Sequence, residues 1–389
     1  PRIGNANGFF LFNGEREYTA SPPNLTSINL TWETVKTTDV GIDILALNNK
    51  LAFTFDWYRS DIENMATSGT SLPATLGTSS PLINGGISRT QGWDTEVTWR
   101  HSIGDFKYSV RATLSDYKQT IVEFPNKSSL VSDFYAGKDL GDIWGLTWEG
   151  WFQSPEEATE RNAIINQKWV HNSTFGEGDA KYADLNGDGV INNGTNTVGD
   201  TGDFKVIGNS TPRYQYGIRL GAEYKSIDFS MFIQGVGKRD VSYQNGANSK
   251  QFLGPAQGPF HSNVYAEHLD YYRPDDTTSP FGPNTDAYFA RPYSQNGGKN
   301  NRNYRYSTDH FLQNGAYARL KTIQLGFTIP KNILEKYKID RFRIFVTGEN
   351  LITISDMLFY DPEGIRGTFS GAASYPLSKT ISTGINISF

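Results

Sequence analysis

The feature that most constrains this chain is a period-2 alternation of apolar and polar residues, which recurs along most of its length. At the C-terminus, Ile381, Thr383, Ile385, Ile387 and Phe389 alternate with serine, glycine and asparagine. This pattern is typical of a β-strand with one apolar and one polar face. It predicts nine strands, at Thr37–Leu47, Lys50–Ser60, Ile87–Arg100, Phe106–Tyr117, Tyr214–Tyr224, Ile227–Gly237, Tyr317–Ile329, Arg341–Leu351 and Ile381–Phe389, with one or two more in Asp142–Phe152.

The links between these predicted strands differ in length in a regular way. If successive strands run in opposite directions, the short links fall at one end of the sheet and the long links at the other. The short links are Asn48-Asn49, His101–Asp105, Lys225-Ser226 and Pro330–Asp340, and the long links are Asp61–Gly86, Lys118–Arg213, Lys238–Ala316 and Ile352–Ser378. Outer-membrane barrels show this asymmetry, and unstructured loops of this length are uncommon in compact soluble domains. The chain is therefore predicted to be all-β, a transmembrane antiparallel β-barrel with long extracellular loops and a periplasmic C-terminus.

Composition agrees with this fold and excludes several other classes. The mean hydropathy of −0.50 is compatible with a barrel, because only alternate residues of each strand face lipid. Aromatic residues make up 14% of the chain and 39 residues are glycine, which suits strands, turns and interfacial rings. A net charge of −5 without a basic cluster argues against a nucleic-acid partner. The absence of cysteine excludes thiol catalysis and disulfides.

Eight stretches, in their order along the chain, resemble the SusC-type (RagA/SusC-like) TonB-dependent transporters of the Bacteroidetes outer membrane. They are "LTWETVKTTDVGID" (Leu30–Asp43), "GDIWGLTWEGWFQSPEE" (Gly141–Glu157), "KYADLNGDGVIN" (Lys181–Asn192), "IGNSTPRYQYGI" (Ile207–Ile218), "SMFIQGVGKRD" (Ser230–Asp240), "NGAYARLKTIQLGFTIP" (Asn314–Pro330), "VTGENLITIS" (Val346–Ser355) and "YPLSKTISTGINISF" (Tyr375–Phe389). The resemblance also identifies Ile385, Ile387 and Phe389 as a barrel-assembly signal.

The resemblance implies an active importer of glycan or oligopeptide nutrients, surrounded by outer-membrane lipid. Substrate would be captured beneath a SusD-like surface lipoprotein, and the TonB-ExbB-ExbD complex would drive uptake. Such transporters have about 22 strands and a plugged lumen. No stretch resembles a signal peptide, a TonB box or a plug domain, so residues 1–389 are expected to be the C-terminal part of a longer barrel protein. The alternate residues expected to face the lumen are Asp43, Thr54, Asp56, Arg219, Glu223 and Gln324.

The stretch "DLNGDGVIN" has the ligand spacing of an EF-hand-type calcium loop. Hard oxygen ligands at alternate positions allow a tight loop to surround Ca²⁺. The candidate ligands are Asp184, Asn186, Asp188, the carbonyl of Val190, and Asn192. The usual closing glutamate is replaced by Thr195, so Asp200 or Asp203 would have to complete the shell. The alternative is an Asx-rich turn that binds no metal tightly.

Residues Tyr265 to Tyr306 form a segment rich in aromatic, charged and amide side chains. Sugar rings stack on aromatic faces while their hydroxyl groups bind carboxylates and amides, and the same composition also accommodates a peptide. The alternative is that most of these rings pack the segment onto its neighbours. The candidate substrate-binding residues are Tyr271, Tyr272, Arg273, Tyr288 and Tyr293.

Catalysis has little support in the sequence. The five histidines are scattered, and neither H-E-x-x-H nor G-x-S-x-G occurs. The chain is therefore predicted not to be an enzyme. The alternatives that remain open are a soluble surface glycan-binding β-module, a secreted carbohydrate-active enzyme and, within the barrel class, a passive porin.

Overall fold

The computed structural model describes residues 4–12, 15–21, 25–69, 72–73, 75, 78, 80–243, 264–293, 302–365 and 377–389. Its helices are short: α1 is Pro155–Ile164, α2 is Lys331–Leu334, and 3₁₀ turns lie at Ala266–Leu269 and Glu335–Tyr337. None of the helices in these ranges is long and apolar enough to cross a bilayer. The strands are β1 (Gly4–Phe12), β2 (Glu15–Ser21), β3 (Thr34–Ala46), β4 (Leu51–Ser68), β5 (Leu82–Ile103), β6 (Phe106–Glu123), β7 (Asp142–Gly145), β8 (Trp148–Trp151), β9 (Ala180–Tyr182), β10 (Lys205–Asn209), β11 (Arg213–Tyr224), β12 (Ile227–Lys238), β13 (Asp240–Val241), β14 (Gln313–Asn314), β15 (Tyr317–Thr328), β16 (Arg341–Ser355) and β17 (Thr380–Ser388).

Nine strands form one sheet in the order β17-β16-β15-β12-β11-β6-β5-β4-β3, and they correspond to the nine strands predicted from the sequence. Every pairing from β6 to β17 is antiparallel. The prediction of an all-β antiparallel fold is confirmed. The other pairings are small two-stranded sheets: β1 with β2, β7 with β10, β8 with β9, and β13 with β14.

Several predicted boundaries are wrong, because strands continue into segments that were read as links. β4 extends to Ser68 and β5 begins at Leu82, so their link is much shorter than the predicted Asp61–Gly86. The link predicted at His101–Asp105 is only the turn of residues 104–105. The turn at Asn48-Asn49 includes one more residue on each side, and both asparagines have the expected positive φ, 57° and 65°. The strands β1, β2, β9, β10, β13 and β14 were not predicted.

The links retain the predicted asymmetry except between β4 and β5, where the link of residues 69–81 is hardly longer than that of residues 329–340. Residues 47–50, 104–105, 225–226 and 329–340 connect strands at what we call the short-turn end. The links 124–212, 239–316 and 356–379 leave the sheet at the opposite, long-loop end, and the first of them contains β7 to β10 and α1.

The register of β11, β12, β15, β16 and β17 divides their side chains between a mainly apolar face and a mainly polar face, which also carries Phe232 and Phe345. Directly paired residues share a face. The apolar face carries Ile218, Leu220, Ile227, Phe229, Met231, Ile233, Ile323, Leu325, Phe327, Phe342, Ile344, Val346, Ile381, Ile385 and Ile387. The polar face carries Arg219, Glu223, Asp228, Ser230, Gln234, Thr322, Gln324, Arg343, Thr347, Glu349, Ser382 and Asn386. Arg219, Glu223 and Gln324 therefore lie on the polar face, as the alternation predicts.

The apolar face is exposed to a degree that is unusual for large hydrophobic side chains in water. Leu325 is 56% exposed, Ile385 62% and Ile381 73%. Towards the short-turn end this face carries aromatic rings, which we call the aromatic band: Phe106, Tyr108, Tyr224, Phe327 and Phe342. An apolar surface bordered by a band of rings is what a β-sheet presents to lipid.

The polar face is joined across strands by side-chain hydrogen bonds. Arg343 on β16 donates from Nε to Oδ1 of Asp228 on β12 at 2.9 Å, and from Nη2 to Oε1 of Gln324 on β15 at 3.0 Å. Gln324 in turn donates to Oγ1 of Thr347 at 2.7 Å. At the short-turn end, a cavity of about 580 Å³ lies beside Glu223, Asp228 and Arg343. Side-chain hydrogen bonds therefore connect three strands across the polar face.

The chain divides into two compact units. One comprises Pro1–Asp39, Tyr58–Gln91 and Lys118–Leu140, and the other Val40–Trp57, Gly92–Tyr117 and Gly141–Phe389. In the first unit, Asp61 accepts hydrogen bonds from Arg59 at 2.7 Å and from Arg89 at 2.7 Å. There Phe124 and Phe134 pack edge to face with 5.3 Å between ring centroids.

We expect a cation on the apolar face to be far more costly in a bilayer than a cation on the polar face. Leu325→Arg should lower the free energy of unfolding by about 1–4 kcal/mol, depending on the depth of the residue in the membrane. The matched control, Thr322→Arg, places arginine on the polar face directly opposite Glu349 and should cost less than about 1 kcal/mol. Denaturant unfolding of the protein in phospholipid vesicles measures both. Equal costs would contradict the assignment of the two faces.

Candidate functional site

The segments at the long-loop end of the second unit pack into a compact structure of their own, which we call the loop cluster. Its buried hydrophobic side chains come from residues 146–191, 241–243, 272–311 and 365. They are Leu146, Trp151, Phe152, Ala158, Val170, Phe175, Ala180, Tyr182, Ile191, Val241, Tyr243, Tyr272, Ala287, Phe289, Ala290, Tyr304, Phe311 and Ile365. The long loops therefore have a hydrophobic core separate from the sheet's apolar face.

Helix α1 is fixed in this cluster by local sequence. Ser154 is its N-cap and accepts a hydrogen bond from the backbone N–H of Glu157 at 3.2 Å, and Pro155 occupies the first helical turn. Acidic residues near a helix N-terminus are stabilising, and Glu157 also binds Lys181 on β9 at 2.6 Å. Arg161, in the last turn, forms an ion pair with Glu149 on β8. Both helix ends are thus attached to the β8–β9 pair.

A buried ion pair lies at the centre of the cluster. Asp179 and Arg302 have side chains that are 0% and 1% exposed and bind each other directly. Asp179 also accepts hydrogen bonds from the backbone N–H of Gly176 at 2.7 Å and from Asn303 at 2.9 Å. Burial raises the pKa of Asp179, while the charge of Arg302 and these hydrogen bonds oppose the rise. The guanidinium of Arg302 also lies over the ring of Tyr293 at 4.4 Å.

A stack of rings joins β8 to residues 287–313. His310 lies parallel to Trp148, with 3.8 Å between ring centroids, and its Nε2 is 2.8 Å from the carbonyl oxygen of Tyr288. Burial lowers the pKa of His310, which favours the neutral ring. The indole N–H of Trp151 donates to the carbonyl of Ala287 at 2.6 Å. These rings organise the cluster interior, and burial leaves them little access to a ligand.

The predicted substrate-binding residues are distributed through this packed region. Tyr272 is 1% exposed and donates to the carbonyl of Gln153 at 3.2 Å. Arg273 is also buried, donates to the carbonyl of Leu269 at 2.7 Å, and lies over the ring of Tyr271. Tyr271, Tyr288 and Tyr293 are half-buried. Most of these side chains therefore hold the loops together here, and their contact with a substrate stays a prediction.

One aromatic group, missed by the sequence analysis, is exposed on the cluster surface. Trp169 lies parallel to Tyr306 at 4.9 Å between centroids, and Phe204 packs perpendicular to both rings. Trp169 is 37% exposed, and the guanidinium of Arg305 lies 5.7 Å from the centre of the Tyr306 ring. We call Trp169, Phe204 and Tyr306 the surface ring group. No sequence motif marks it, because its members are far apart in the chain.

The predicted calcium loop is a tight turn with many backbone hydrogen bonds. The carboxylate of Asp184 accepts from the N–H groups of Gly187 at 2.7 Å and Gly189 at 2.8 Å. Asn186 donates to Asp188 at 3.1 Å, and Asn192 donates to the carbonyl of Val190 at 3.1 Å. The described residues contain no group of three or more His, Asp or Glu side chains placed to hold a metal ion. An EF-hand-type shell also uses amide and carbonyl oxygens, so the residues present fit a calcium ion only with these weaker ligands.

Asp203 lies behind this turn. It is fully buried, and its two oxygens accept hydrogen bonds from the N–H groups of Leu185 and Asn192, at 2.7 and 2.8 Å. Burial is the main cause that raises the pKa of Asp203, and the nearby carboxylates of Asp184 and Asp188 add to it. Asp200, in contrast, is exposed and closes its own turn by accepting from Thr195 at 2.9 Å.

The loop after β16 is attached to the sheet by charge. Arg319 on β15 is buried and donates to Asp361 at 2.7 Å and to Glu363 at 2.7 Å, while Lys321 binds Glu363 at 2.9 Å. Burial by itself raises the pKa of Asp361, but the hydrogen bonds from Arg319 and the backbone lower it overall. This attachment fixes residues 361–363 above one end of the polar face.

Comparisons with known proteins agree with these features. Residues 1–251 match a family model described as "TonB dependent receptor-like, beta-barrel". Two proteins of Formosa agariphila (strain DSM 15362 / KCTC 12365 / LMG 23005 / KMM 3901 / M-2Alg 35-1) are similar over 93% of the chain. TonB-dependent receptor P3 is 27% identical over 386 residues, with 34% of its length covered. TonB-dependent receptor P26 is 26% identical over 382 residues, with 35% covered. The chain thus spans about a third of the length of these curated relatives.

Solved structures show the same fold. The structure of the RagAB peptide transporter matches 100% of this chain and 38% of its own chain, with a TM-score of 0.68 and 17% identity. The RagAB peptide importer in its "open-open" state matches with a TM-score of 0.67, at the same identity and coverage.

We expect removal of Arg302 to destabilise the loop cluster more than any neutral change at its surface. Arg302→Met leaves the buried carboxylate of Asp179 without its cation, which should cost about 3–5 kcal/mol. The double variant Arg302→Met, Asp179→Leu should recover part of this loss, because no unpaired charge remains. Trypsin cleavage of the intact protein in detergent, mapped by mass spectrometry, measures opening of residues 264–293. A single variant as protease-resistant as the parent would contradict a structural role for the pair.

Proposed function

Because the chain belongs to the TonB dependent receptor-like β-barrel family, we propose that it forms part of the wall and outer loops of an active importer of glycan or oligopeptide nutrients. The family consists of outer-membrane receptors and transporters, not enzymes, so the chain is not an enzyme. Family membership also favours a transporter over the soluble glycan-binding module.

The observation that carries the proposal is the division of one sheet into an exposed apolar face and a hydrogen-bonded polar face. In hydrocarbon, every backbone polar group needs a partner, which strands provide only within a closed sheet. The apolar face then contacts lipid and the polar face lines the lumen. The short-turn end and the C-terminus face the periplasm, and the loop cluster faces the outside.

Two partners follow from the SusC-type resemblance. A SusD-like lipoprotein would close over the loop cluster, and the TonB-ExbB-ExbD complex would act from the periplasmic side on parts of the polypeptide outside these residues. The RagAB protein, which has the same fold, is a peptide transporter. This supports a transport role without selecting between peptide and glycan for this chain.

Deletion of the gene for the complete protein tests the import function. We expect cells without it to lose uptake of either labelled oligopeptides or labelled oligosaccharides, and cells without TonB to lose the same uptake. The gene encoding the complete chain should restore transport in the first strain. Uptake that persists without TonB would support a passive porin, and loss of neither uptake would contradict the nutrient classes proposed here.

The surface ring group is proposed as a place for substrate contact, because its three rings pack together and Trp169 is partly exposed. We expect Trp169→Ala to raise the half-saturation concentration for uptake about 2- to 10-fold, since an aromatic contact is worth roughly 0.5–1.5 kcal/mol. Phe281→Ala, which removes another exposed ring, is the control and should change little.

The residues Tyr271, Tyr272, Arg273, Tyr288 and Tyr293 also remain proposed substrate contacts. Tyr271→Ala and Tyr293→Ala test whether half-buried rings bind substrate, and an unchanged half-saturation concentration would exclude them.

A calcium ion bound by Asp184, Asn186, Asp188, the carbonyl of Val190 and Asn192 is also proposed. It would offset the repulsion among Asp184, Asp188 and the buried Asp203. We expect titration with CaCl₂ to produce binding heat and a higher melting temperature for the intact protein, both lost in Asp188→Ala. Asp200→Ala is the control, because its carboxylate lies in a separate turn. A melting temperature that does not respond to calcium would favour the metal-free Asx turn.

The C-terminal residues Ile385, Ile387 and Phe389 are proposed to be the signal that the insertion machinery reads. Phe389 is 83% exposed and lies beyond the last paired residue of β17, so its loss removes no packing from the sheet. We expect Phe389→Ala to reduce the amount of heat-modifiable protein in outer-membrane fractions, whereas Ser388→Ala should not. Equal amounts of both would contradict a role in assembly.

A further inference from the structure

Residues 330–340, within the link between β15 and β16, have a surface that the sheet does not require. This segment contains α2 and the following 3₁₀ turn, and Leu334 is its buried anchor, only 4% exposed. Ile333 is 53% exposed and Tyr337 is 69% exposed. A link that served only to reverse the chain would have no reason to present two large apolar side chains four residues apart.

Lysines surround these two exposed residues. Lys331, Lys336 and Lys338 are all exposed, and none forms an ion pair within the described ranges. The carboxylates of the segment are those of Glu335 and Asp340. Ile333 and Tyr337, with lysines close on both sides, form a short amphipathic surface with a cationic border.

The position of the segment relates it to the apolar face. It follows Thr328, the last residue of β15, after Ile329, and it leads into β16 at Arg341, which precedes Phe342. Phe327 and Phe342 belong to the aromatic band, and Ile329 donates its N–H to the carbonyl of Phe342 at 2.9 Å. The link therefore begins and ends within one or two residues of the aromatic band along the chain.

We infer that residues 330–340 form a contact with the phospholipid headgroups of the leaflet at the short-turn end. Ile333 and the ring of Tyr337 insert between headgroups, and Lys331, Lys336 and Lys338 bind phosphate oxygens. Tyrosine is favoured at the membrane–water interface, and lysine extends its apolar stem along the boundary while its ammonium group reaches the phosphates. Lysine side chains near an anionic membrane surface are attracted to it. Lys225, which lies over the ring of Tyr224 at 5.3 Å, adds a cation to the same end.

This inference rests on the proposed orientation in a membrane, and the absence of cysteine from the chain makes site-directed spin labelling suitable for testing it. The intact protein, with any cysteine outside these residues replaced, is labelled at Ile333→Cys or Tyr337→Cys and reconstituted in vesicles of phosphatidylethanolamine and phosphatidylglycerol. Collisions of the nitroxide with oxygen and with a water-soluble nickel complex report lipid and water, respectively. Labels at Ile385→Cys and Glu223→Cys are the lipid and water references, and Asn332→Cys is the control within the link.

The expected result is that labels at 333 and 337 lose most of their collisions with the nickel complex relative to position 332. Replacing the three lysines together by glutamine should reduce this protection in vesicles that contain phosphatidylglycerol, and the difference should shrink at high salt. Labels at 333 and 337 as accessible to nickel as Glu223→Cys would overturn the inference and leave the site as an aqueous or protein-binding surface. A label at Ile385→Cys exposed to water would instead contradict the membrane assignment of the sheet.

Discussion

The structure depends on the hydrogen-bonded antiparallel pairing that continues across its sheet. Pairing satisfies the backbone, and it also fixes which side chains share a face, because directly opposite residues point the same way. In β11, β12, β15, β16 and β17 one face carries mainly isoleucine, leucine, valine and phenylalanine, and the other carries mainly polar and charged side chains with two phenylalanines among them. A slip of one residue in β11, β15 or β16 would place arginine among the apolar side chains. The alternation in the sequence thus specifies the register as well as the strands.

The two faces of the sheet are compatible with a stable structure only in a membrane. A sheet in water would have to bury Leu325, Ile381 and Ile385, yet the described structure leaves them exposed. Against hydrocarbon, the same side chains are stabilising, and the polar face is the side that remains in water. On the polar face, hydrogen bonds link Asp228, Arg343, Gln324 and Thr347, so the charged side chains of this face have polar partners. The last strand also packs against an aromatic ring. The ring of Phe345 lies over Gly384, and a Cβ atom at this position would come within 2.3 Å of the ring, so only glycine fits there.

The loop cluster is stabilised differently, by a hydrophobic core that its segments share. Its segments are long, and each by itself has too few apolar residues to stay folded, so they share one core. The Asp179–Arg302 pair is fully buried in it and joins residues from distant parts of the chain. Removing one of the two charges should strongly destabilise the cluster, because the other charge would stay buried without a partner or water. The pair therefore favours one arrangement of the loops.

The sequence alone determined the nine strands of the sheet, the two faces and the difference between short and long links. Period-2 alternation and turn residues such as Asn48 and Asn49 are local properties, so they can be recognised without knowing the rest of the fold. Strand lengths were less well determined, since β4 and β5 continue through residues that lack clear alternation.

Only the tertiary structure decided how the long loops are used. Tyr272 and Arg273 have the composition of a binding site, yet packing against distant segments buries them. Trp169, with no motif around it, lies stacked on Tyr306 at the surface. The partners of Asp179 and Arg302 are equally invisible in the sequence, because contacts between residues more than a hundred positions apart depend on the whole arrangement of the chain. Local patterns specify strands, whereas burial and charge pairing in the loops are collective properties of the fold.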